Sequence, residues 1–548
     1  MVNSPIPNAS LLRELADILS AASFTADGIA AHLGPDATDA LYRGEPGVVL
    51  HATLGGSQLD QLIRFFLLRR PFTPEQITQM LGRELGLLLI DATLTTPTPS
   101  GEVTVAFDIR PHVIAGHERL VVSDCDASVT DVVPGRDHVL GVGAASLSLL
   151  SATPLTPVDR VLDLGTGSGV QALAQAGVAR KVVATDIHQR ALDLAEVTLA
   201  ANRVDNVELR QGAWFAPVEG ERFDRIVANP PFVVGLPEVG HVYRDSGLSL
   251  DGATELVVRE TPDHLAEDGT ACILGAWVHT VDESWQSRVA SWLPSEGVSA
   301  WVLQRDVVDP GMYVSTWLKD ESLDPRSPEA IERTQAWLAH FDDNNVHAIG
   351  FGWVFLRDIG DHPSEITAEE LSHPYTDPLG PEVEEYFLRA AWLRDKDADD
   401  VLDSRFLVRP GVAIEEVSAA DTDTGMGFTE EVVRVTRTDG PRFSHEINAD
   451  LRTVLAGLHP NGLVLRDVVG IFASSRGIEG DQEIAALEQS AVAAIADLVR
   501  HGVVVPADIT EIDDGIEEGA KSNEGSANAC VQRLGDCGRR GSWSNRLP

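Results

Sequence analysis

Arg160-Val-Leu-Asp163-Leu-Gly165-Thr166-Gly167-Ser-Gly169-Val-Gln is the stretch on which the fold turns. Apolar Val161, Leu162 and Leu164 form a short buried-strand run, and a helical pattern resumes over 171–176. The three glycines between them permit positive φ and let a ligand lie against bare backbone. Their spacing is G-x-G-x-G, not the G-x-G-x-x-G that cradles a pyrophosphate. Strand and helix then alternate, as in a parallel sheet with crossover helices. The expected strands are 160–164, 181–186, 207–211, 223–228 and 271–278, with 298–304 and 346–356 closing the sheet. Helices are expected over 189–201 and 327–341.

Two further elements lie at strand ends. Asp186 closes the second strand, 21 residues after Gly165, where a carboxylate can accept hydrogen bonds from both hydroxyls of a ribose. Capping of the following helix is the lesser reading, and the two are compatible. The third strand runs into Gly212-Ala213-Trp214, whose backbone and aromatic ring would border an adenine; Trp214 reads nearly as well as core. The fourth ends in Ile226-Val-Ala-Asn229-Pro230-Pro231-Phe232. Two prolines stop the strand and stiffen the turn, so the Asn229 amide oxygen and the Pro230 carbonyl can be held as paired acceptors. Two acceptors converging on one planar NH2 group bind both its hydrogens and leave the lone pair aimed at an electrophile. Phe232 offers a face for stacking a base or an amide plane.

In that order and spacing, these residues resemble class I S-adenosylmethionine-dependent N-methyltransferases. The closest group is the small-domain family, which includes release-factor glutamine N5-methyltransferases and rRNA and tRNA N-methyltransferases. The resemblance covers about residues 136–280. It implies a Rossmann-like α/β domain with a mostly parallel, seven-stranded sheet and S-adenosyl-L-methionine as cofactor. Carried over position by position, the catalytic candidates are Asn229, Pro230, Pro231 and Phe232. The cofactor-binding candidates are Asp163, Gly165, Thr166, Gly167, Gly169, Asp186, Ile187, Gly212, Ala213, Trp214 and Asn229. Ala213 stands where many relatives carry an acid facing the adenine, and Phe232 where glutamine-modifying relatives usually carry Tyr. The second departure, with strands in the N-terminal region, tilts the expected acceptor towards an exocyclic amine of RNA (guanine N2 or adenine N6 of rRNA or tRNA). A glutamine of a release factor or other protein is the alternative. Two flanking stretches could complete the pocket: Arg136-Asp-His138-Val-Leu-Gly141-Val-Gly143, and Tyr243-Arg244-Asp245-Ser246-Gly247 as a lid.

Around this core, residues 1–130 are expected to be an α+β substrate-recognition domain and 131–360 the methyltransferase domain. Thr25 and Thr73 each open a short helix that closes on glycine, followed by strands over 102–109 and 119–123. That pattern suits a winged helix or another small α+β module. Residues 361–400 read as an acidic linker and the rest to 506 as a second α+β domain, again compatible with a winged helix. The sequence 507–548 is too poor in apolar periodicity to build a core and reads as a disordered tail.

Composition bounds the rest. The 548 residues carry 84 acidic and 42 basic side chains, a formal charge of −42. That argues against indiscriminate binding to phosphate backbones, which rests on Lys and Arg. Four scattered cysteines, Cys125, Cys272, Cys530 and Cys537, make neither a disulfide framework nor a zinc site. With no signal-like start and no apolar run long enough to span a bilayer, a soluble cytoplasmic protein with no metal and no membrane partner is expected. Nothing in the sequence bears on oligomeric state.

Overall fold

The computed structural model describes residues 8–91, 94–125, 137–236, 247–320, 323–374 and 377–510. The chain folds as two units divided at Glu370. The first is built on one sheet of eight strands: β1 (Val158–Leu164), β2 (Ala179–Asp186), β3 (Val207–Gln211), β4 (Phe223–Ala228), β5 (Leu265–Thr280), β6 (Glu296–Val308), β7 (Val346–Pro363) and β8 (Glu365–Glu370). Their order is β8-β6-β7-β5-β4-β1-β2-β3. Pairings through β3-β2-β1-β4-β5 are parallel, whereas β7 runs antiparallel between β5 and β6. This is the class I methyltransferase sheet extended by one strand.

The eighth strand corrects the seven-stranded expectation. Residues 365–370 fall within the supposed acidic linker, yet they pair parallel to β6, Ser299 opposite Glu365 through Gln304 opposite Glu370. Its charged side chains suit a sheet edge, where one side has no neighbouring strand. The linker expectation fails further along as well. Helix Gly380–Arg394 buries Val383, Tyr386, Phe387 and Trp392 at helical spacing, and Asp397, inside the acidic run, is the N-cap of helix Ala398–Leu402. Here charge density masked an amphipathic period.

Thr25 and Thr73 cap their helices as expected, Thr25 accepting from the Gly28 N–H and Thr73 making a reciprocal capping box with Gln76. The first of these helices closes on Gly34, where φ is +73° and ψ 171°, and a second helical segment starts at Pro35 and runs to Tyr42. The strand expected over 102–109 is two, Val103–Val105 and Asp108–Ile114; the second pairs with His117–Ser123. These helices and hairpins are not separate from the sheet. Helix Gln189–Ala201 contributes Ala191, Leu194, Val197 and Ala201 to the same apolar cluster as Leu12, Leu15, Phe65, Phe66 and Phe107.

The second unit is α+β. Strands Val412–Ala420, Phe428–Arg437 and Ser444–Ile447 form an antiparallel sheet, and Phe406–Val408 pairs with Val504–Pro506 beside helices Ala449–Ala456, Leu465–Ser475 and Asp481–Arg500. The folded chain passes 506: a 3-10 turn spans Ala507–Ile509, and the Ala507 N–H donates to the Arg405 carbonyl. The remainder of the expected tail, 511–548, lies outside the described residues. At the centre of this unit Glu382, nearly sealed from solvent, accepts from Arg389 at 2.5 Å and from Arg437 at 2.7 Å. Burial alone would raise its pKa, but the two guanidiniums outweigh that and hold it below the ordinary glutamate range.

Removing the shared acid leaves two buried cations with only the more exposed Glu385 and Asp439 as counter-charges. Glu382→Gln is therefore expected to cost about 3–5 kcal/mol, read as earlier urea unfolding and faster hydrogen exchange in helix Gly380–Arg394. An unchanged midpoint would mean the triad contributes nothing net.

Candidate active site at the carboxyl ends of β1, β2 and β4

Parallel strands release unpaired backbone groups where they end, and the loops that follow must satisfy them. The Thr185 carbonyl at the end of β2 accepts from both the Gly165 and Thr166 N–H groups, and the Asp186 carbonyl accepts from Gly212. The loops after β1 and β3 are thereby tied to β2. Gly165, Gly167 and Gly169 have φ of +76°, +55° and +85°, a region that favours glycine. A Cβ on Gly167 would meet nothing within 4 Å, whereas one on Gly169 would press on Ala195 at 3.3 Å. Gly167 thus offers open backbone, and Gly169 allows two helices to approach.

Asp163 faces into this loop. It is 1% exposed, and its Oδ2 accepts from the Thr166 hydroxyl at 2.6 Å and the Ala172 N–H at 2.9 Å. Burial pushes its pKa up to about 6. Its geometry is that of an internal brace. Asp186 is placed differently. One oxygen accepts from the His188 N–H at 2.9 Å and the other from the Gly167 N–H at 3.1 Å, so it serves its own turn and the glycine loop at once. Burial raises its pKa. Each oxygen keeps capacity for a further donor.

Gly212, Ala213 and Trp214 border the same strand ends, with Ala213 exposed and Trp214 half-buried in a left-handed conformation at φ +49°. Trp214 also leans on the core beneath β4. Ile187 is 53% exposed. At the end of β4, the Asn229 carbonyl oxygen lies 3.9 Å from where a Gly165 Cβ would stand, which puts the asparagine turn beside the glycine loop. The Asn229 side chain is half-buried and makes no hydrogen bond among the described residues. Pro230 and Phe232 are buried, and Pro231 partly so.

The sequence did not reveal what holds this turn. The Val234 N–H donates to the Tyr313 hydroxyl at 2.6 Å, and Trp337 Nε1 donates to the Val234 carbonyl at 3.2 Å. Tyr313 and Trp337 sit on helices Pro310–Asp320 and Pro328–Asp343, between β6 and β7. Gly235 lies so close to the Trp337 ring that a Cβ would come within 2.5 Å. A signal existed in the cluster of Tyr313, Trp317 and Trp337, but only the topology brings it to the β4 turn. Of the flanking stretches, Ser168 Oγ donates to the Leu140 carbonyl at 2.9 Å, so 137–143 does reach the glycine loop. Arg136 and the lid residues Tyr243–Ser246 lie outside the described residues. Among the described residues, no three His, Cys, Asp or Glu side chains are grouped to hold a metal ion, and no helix is long and apolar enough to cross a membrane.

Residues 140–274 match the methyltransferase small domain, while 21–106 and 384–506 match two domains of unknown function, DUF7059 and DUF7782. The chain is 31% identical over 252 residues to the ribosomal protein uL3 glutamine methyltransferase of Bradyrhizobium diazoefficiens, spanning 43% of this chain and 76% of that protein. It is 44% identical over 85 residues to the release factor glutamine methyltransferase of Aliivibrio fischeri, spanning 15% of this chain and 30% of that one. The structure of the T. thermophilus 16S rRNA N2 G1207 methyltransferase with AdoMet and guanosine matches at 19% identity and a TM-score of 0.26, over 43% of this chain and 64% of that one. The chain belongs to the small-domain family of class I S-adenosylmethionine-dependent N-methyltransferases. Its cofactor is S-adenosylmethionine. Bare backbone at Gly167 beside a desolvated carboxylate at Asp186 is a donor and acceptor set that fits an amino-acid moiety joined to a ribose.

We propose that Asp186 accepts from both ribose hydroxyls, so that its replacement by Ala removes two hydrogen bonds to a charged group, each worth ~1.5–3 kcal/mol. Cofactor affinity measured by calorimetry is expected to fall at least ~100-fold. Unchanged affinity would remove Asp186 from the ribose site.

Proposed function

We propose that this methyltransferase modifies the side-chain amide nitrogen of a glutamine in a cationic protein. When bound, S-adenosylmethionine supplies an electrophilic methyl group on a sulfonium. The chain's own residues do the rest. Gly165, Gly167 and Gly169 hold the amino-acid end through backbone, and Asp186 holds the ribose. Asn229 Oδ1 and the Pro230 carbonyl accept the two hydrogens of the acceptor NH2. Held so, the nitrogen cannot rotate, and its lone pair faces the methyl carbon as it pyramidalises. No base is required before attack, because the surplus proton leaves once the new bond exists. Alignment of this kind can contribute ~7–11 kcal/mol. Tyr313 and Trp337 keep the turn from shifting, and Phe232 with the two prolines keeps water from the amide.

The observation that carries the choice of acceptor is charge beside the Asn229 turn. Residues 309–345, which bear the two helices buttressing it, include eight acidic and three basic residues. Among the described residues, Arg288 is engaged by Asp251 and Glu283, and Arg305 by Asp306. A phosphate backbone would find little there, whereas a basic protein would be drawn in. The Bradyrhizobium relative, a glutamine methyltransferase of a ribosomal protein, supports the same acceptor. An RNA amine remains the second reading, favoured by Phe232 in place of tyrosine and by the strands of the N-terminal region.

Labelled S-adenosylmethionine incubated with total cell extract should deliver methyl groups to a protease-sensitive fraction that survives RNase. The reverse pattern would select RNA. In the same assay Asn229→Ala should lower transfer by ~100-fold or more, the scale of losing one preorganised polar group at a reacting centre. Its cofactor affinity should stay within a few-fold of wild type. Wild-type transfer by that variant would place the chemistry elsewhere.

A further inference from the structure

Strand His117–Ser123 belongs to the N-terminal region, yet its free edge is satisfied by helix Gln189–Ala201 of the sheet. Asn202, just past the helix, accepts from the Leu120 N–H and donates to the Leu120 carbonyl; Thr198 Oγ1 accepts from the Val122 N–H at 3.1 Å. The third member of this face, two turns earlier, is Arg190. Its guanidinium grips the Asp124 carboxylate with a two-pronged contact, Nε to Oδ2 at 2.9 Å and the second through Oδ1. The same Asp124 Oδ2 accepts from the Val139 N–H at 3.0 Å, and the Asp124 N–H donates to the Val139 carbonyl at 3.1 Å. Asp124 and Arg190 are both almost buried, and the guanidinium lies over the Phe107 ring.

Two lines of connection to the cofactor site meet at this one carboxylate. Through Val139 it fixes segment 137–143, whose Leu140 carbonyl accepts from Ser168 of the glycine loop. Gly141 makes the fit possible, since a Cβ there would come within 2.7 Å of Ser123 Oγ. Through Arg190 it fixes the first turn of the helix, two residues beyond His188, whose N–H is bound by Asp186. Asp124 thus braces both the glycine loop and the ribose turn while lying outside them.

We propose that Asp124 and Arg190 are positioning residues for S-adenosylmethionine, a latch through which the N-terminal region takes part in holding the cofactor. The inference rests on the glycine loop and Asp186 being the cofactor site. A residue that only stabilises the fold would change melting temperature without changing affinity in the folded protein. A latch changes both, and by reciprocity cofactor binding tightens the docking of the strand.

The test uses the full chain and S-adenosylhomocysteine as probe. Asp124→Asn and Arg190→Met should weaken its binding in calorimetry by about 5- to 100-fold, the usual range of coupling between sites. Amides of 137–143 should exchange faster in both. In the wild type, the probe should slow exchange along His117–Ser123. Asn202→Ala loosens the same strand without touching Asp124 or segment 137–143. It should lower the melting temperature and leave affinity unchanged. If Asn202→Ala weakens binding as much as Asp124→Asn, or if neither latch variant weakens it, the pair is structural and the proposal falls. Asp186→Ala run alongside separates the two claims, because tight binding by that variant overturns the cofactor site itself.

Discussion

Four backbone and side-chain acceptors at the last two residues of β2 hold the site together. Thr185 and Asp186 end the strand, and their oxygens take up the N–H groups of Gly165, Thr166, Gly167, His188 and Gly212. In a parallel sheet such groups must find partners or be left desolvated, at a cost of ~1–3 kcal/mol each. Meeting that demand draws the loops after β1 and β3 onto the end of β2. Beside them stands the Asn229 amide, unengaged among the described residues, on a turn that two prolines and a tyrosine hydroxyl keep still.

The parts of this arrangement set by local chemistry were legible in the sequence. Apolar runs bounded by glycine or proline marked the ends of β1 and β4, and strands 207–211 and 223–228 and helix 189–201 have the expected limits. Asn229-Pro-Pro-Phe is legible because the role proposed for it uses adjacent atoms. What escaped depends on distance along the chain. Tyr313 and Trp337 act on Val234 from 79 and 103 residues away, and nothing local distinguishes them from core aromatics. Asp163 and Asp186 were both candidates for the cofactor, yet Asp163 braces the inside of the glycine loop and Asp186 joins that loop to its own turn.

The misread acidic stretch has its own lesson. Between 361 and 400 the density of carboxylates suggested a solvated connection, but charge on the outer face of a helix or on an edge strand is compatible with full burial of the other face. Glu382 goes further, sitting inside the second unit because Arg389, two turns along its own helix, and Arg437, from a strand, neutralise it. Periodicity was the better guide than composition. The same caution applies to the overall charge, which constrains partners only where it is concentrated, as beside the Asn229 turn.

Helix Gln189–Ala201 is buried on nearly every side, with the sheet on one face and the N-terminal region on the other. A catalytic domain isolated by cutting near residue 130 would carry Ala191, Leu194, Val197 and Ala201 as a bare apolar stripe. Such a stripe favours self-association. The boundary that looks natural from the order of motifs is thus a poor place to divide this protein, and any recombination of its modules among relatives would have to transfer the helix's outer face along with the region that covers it.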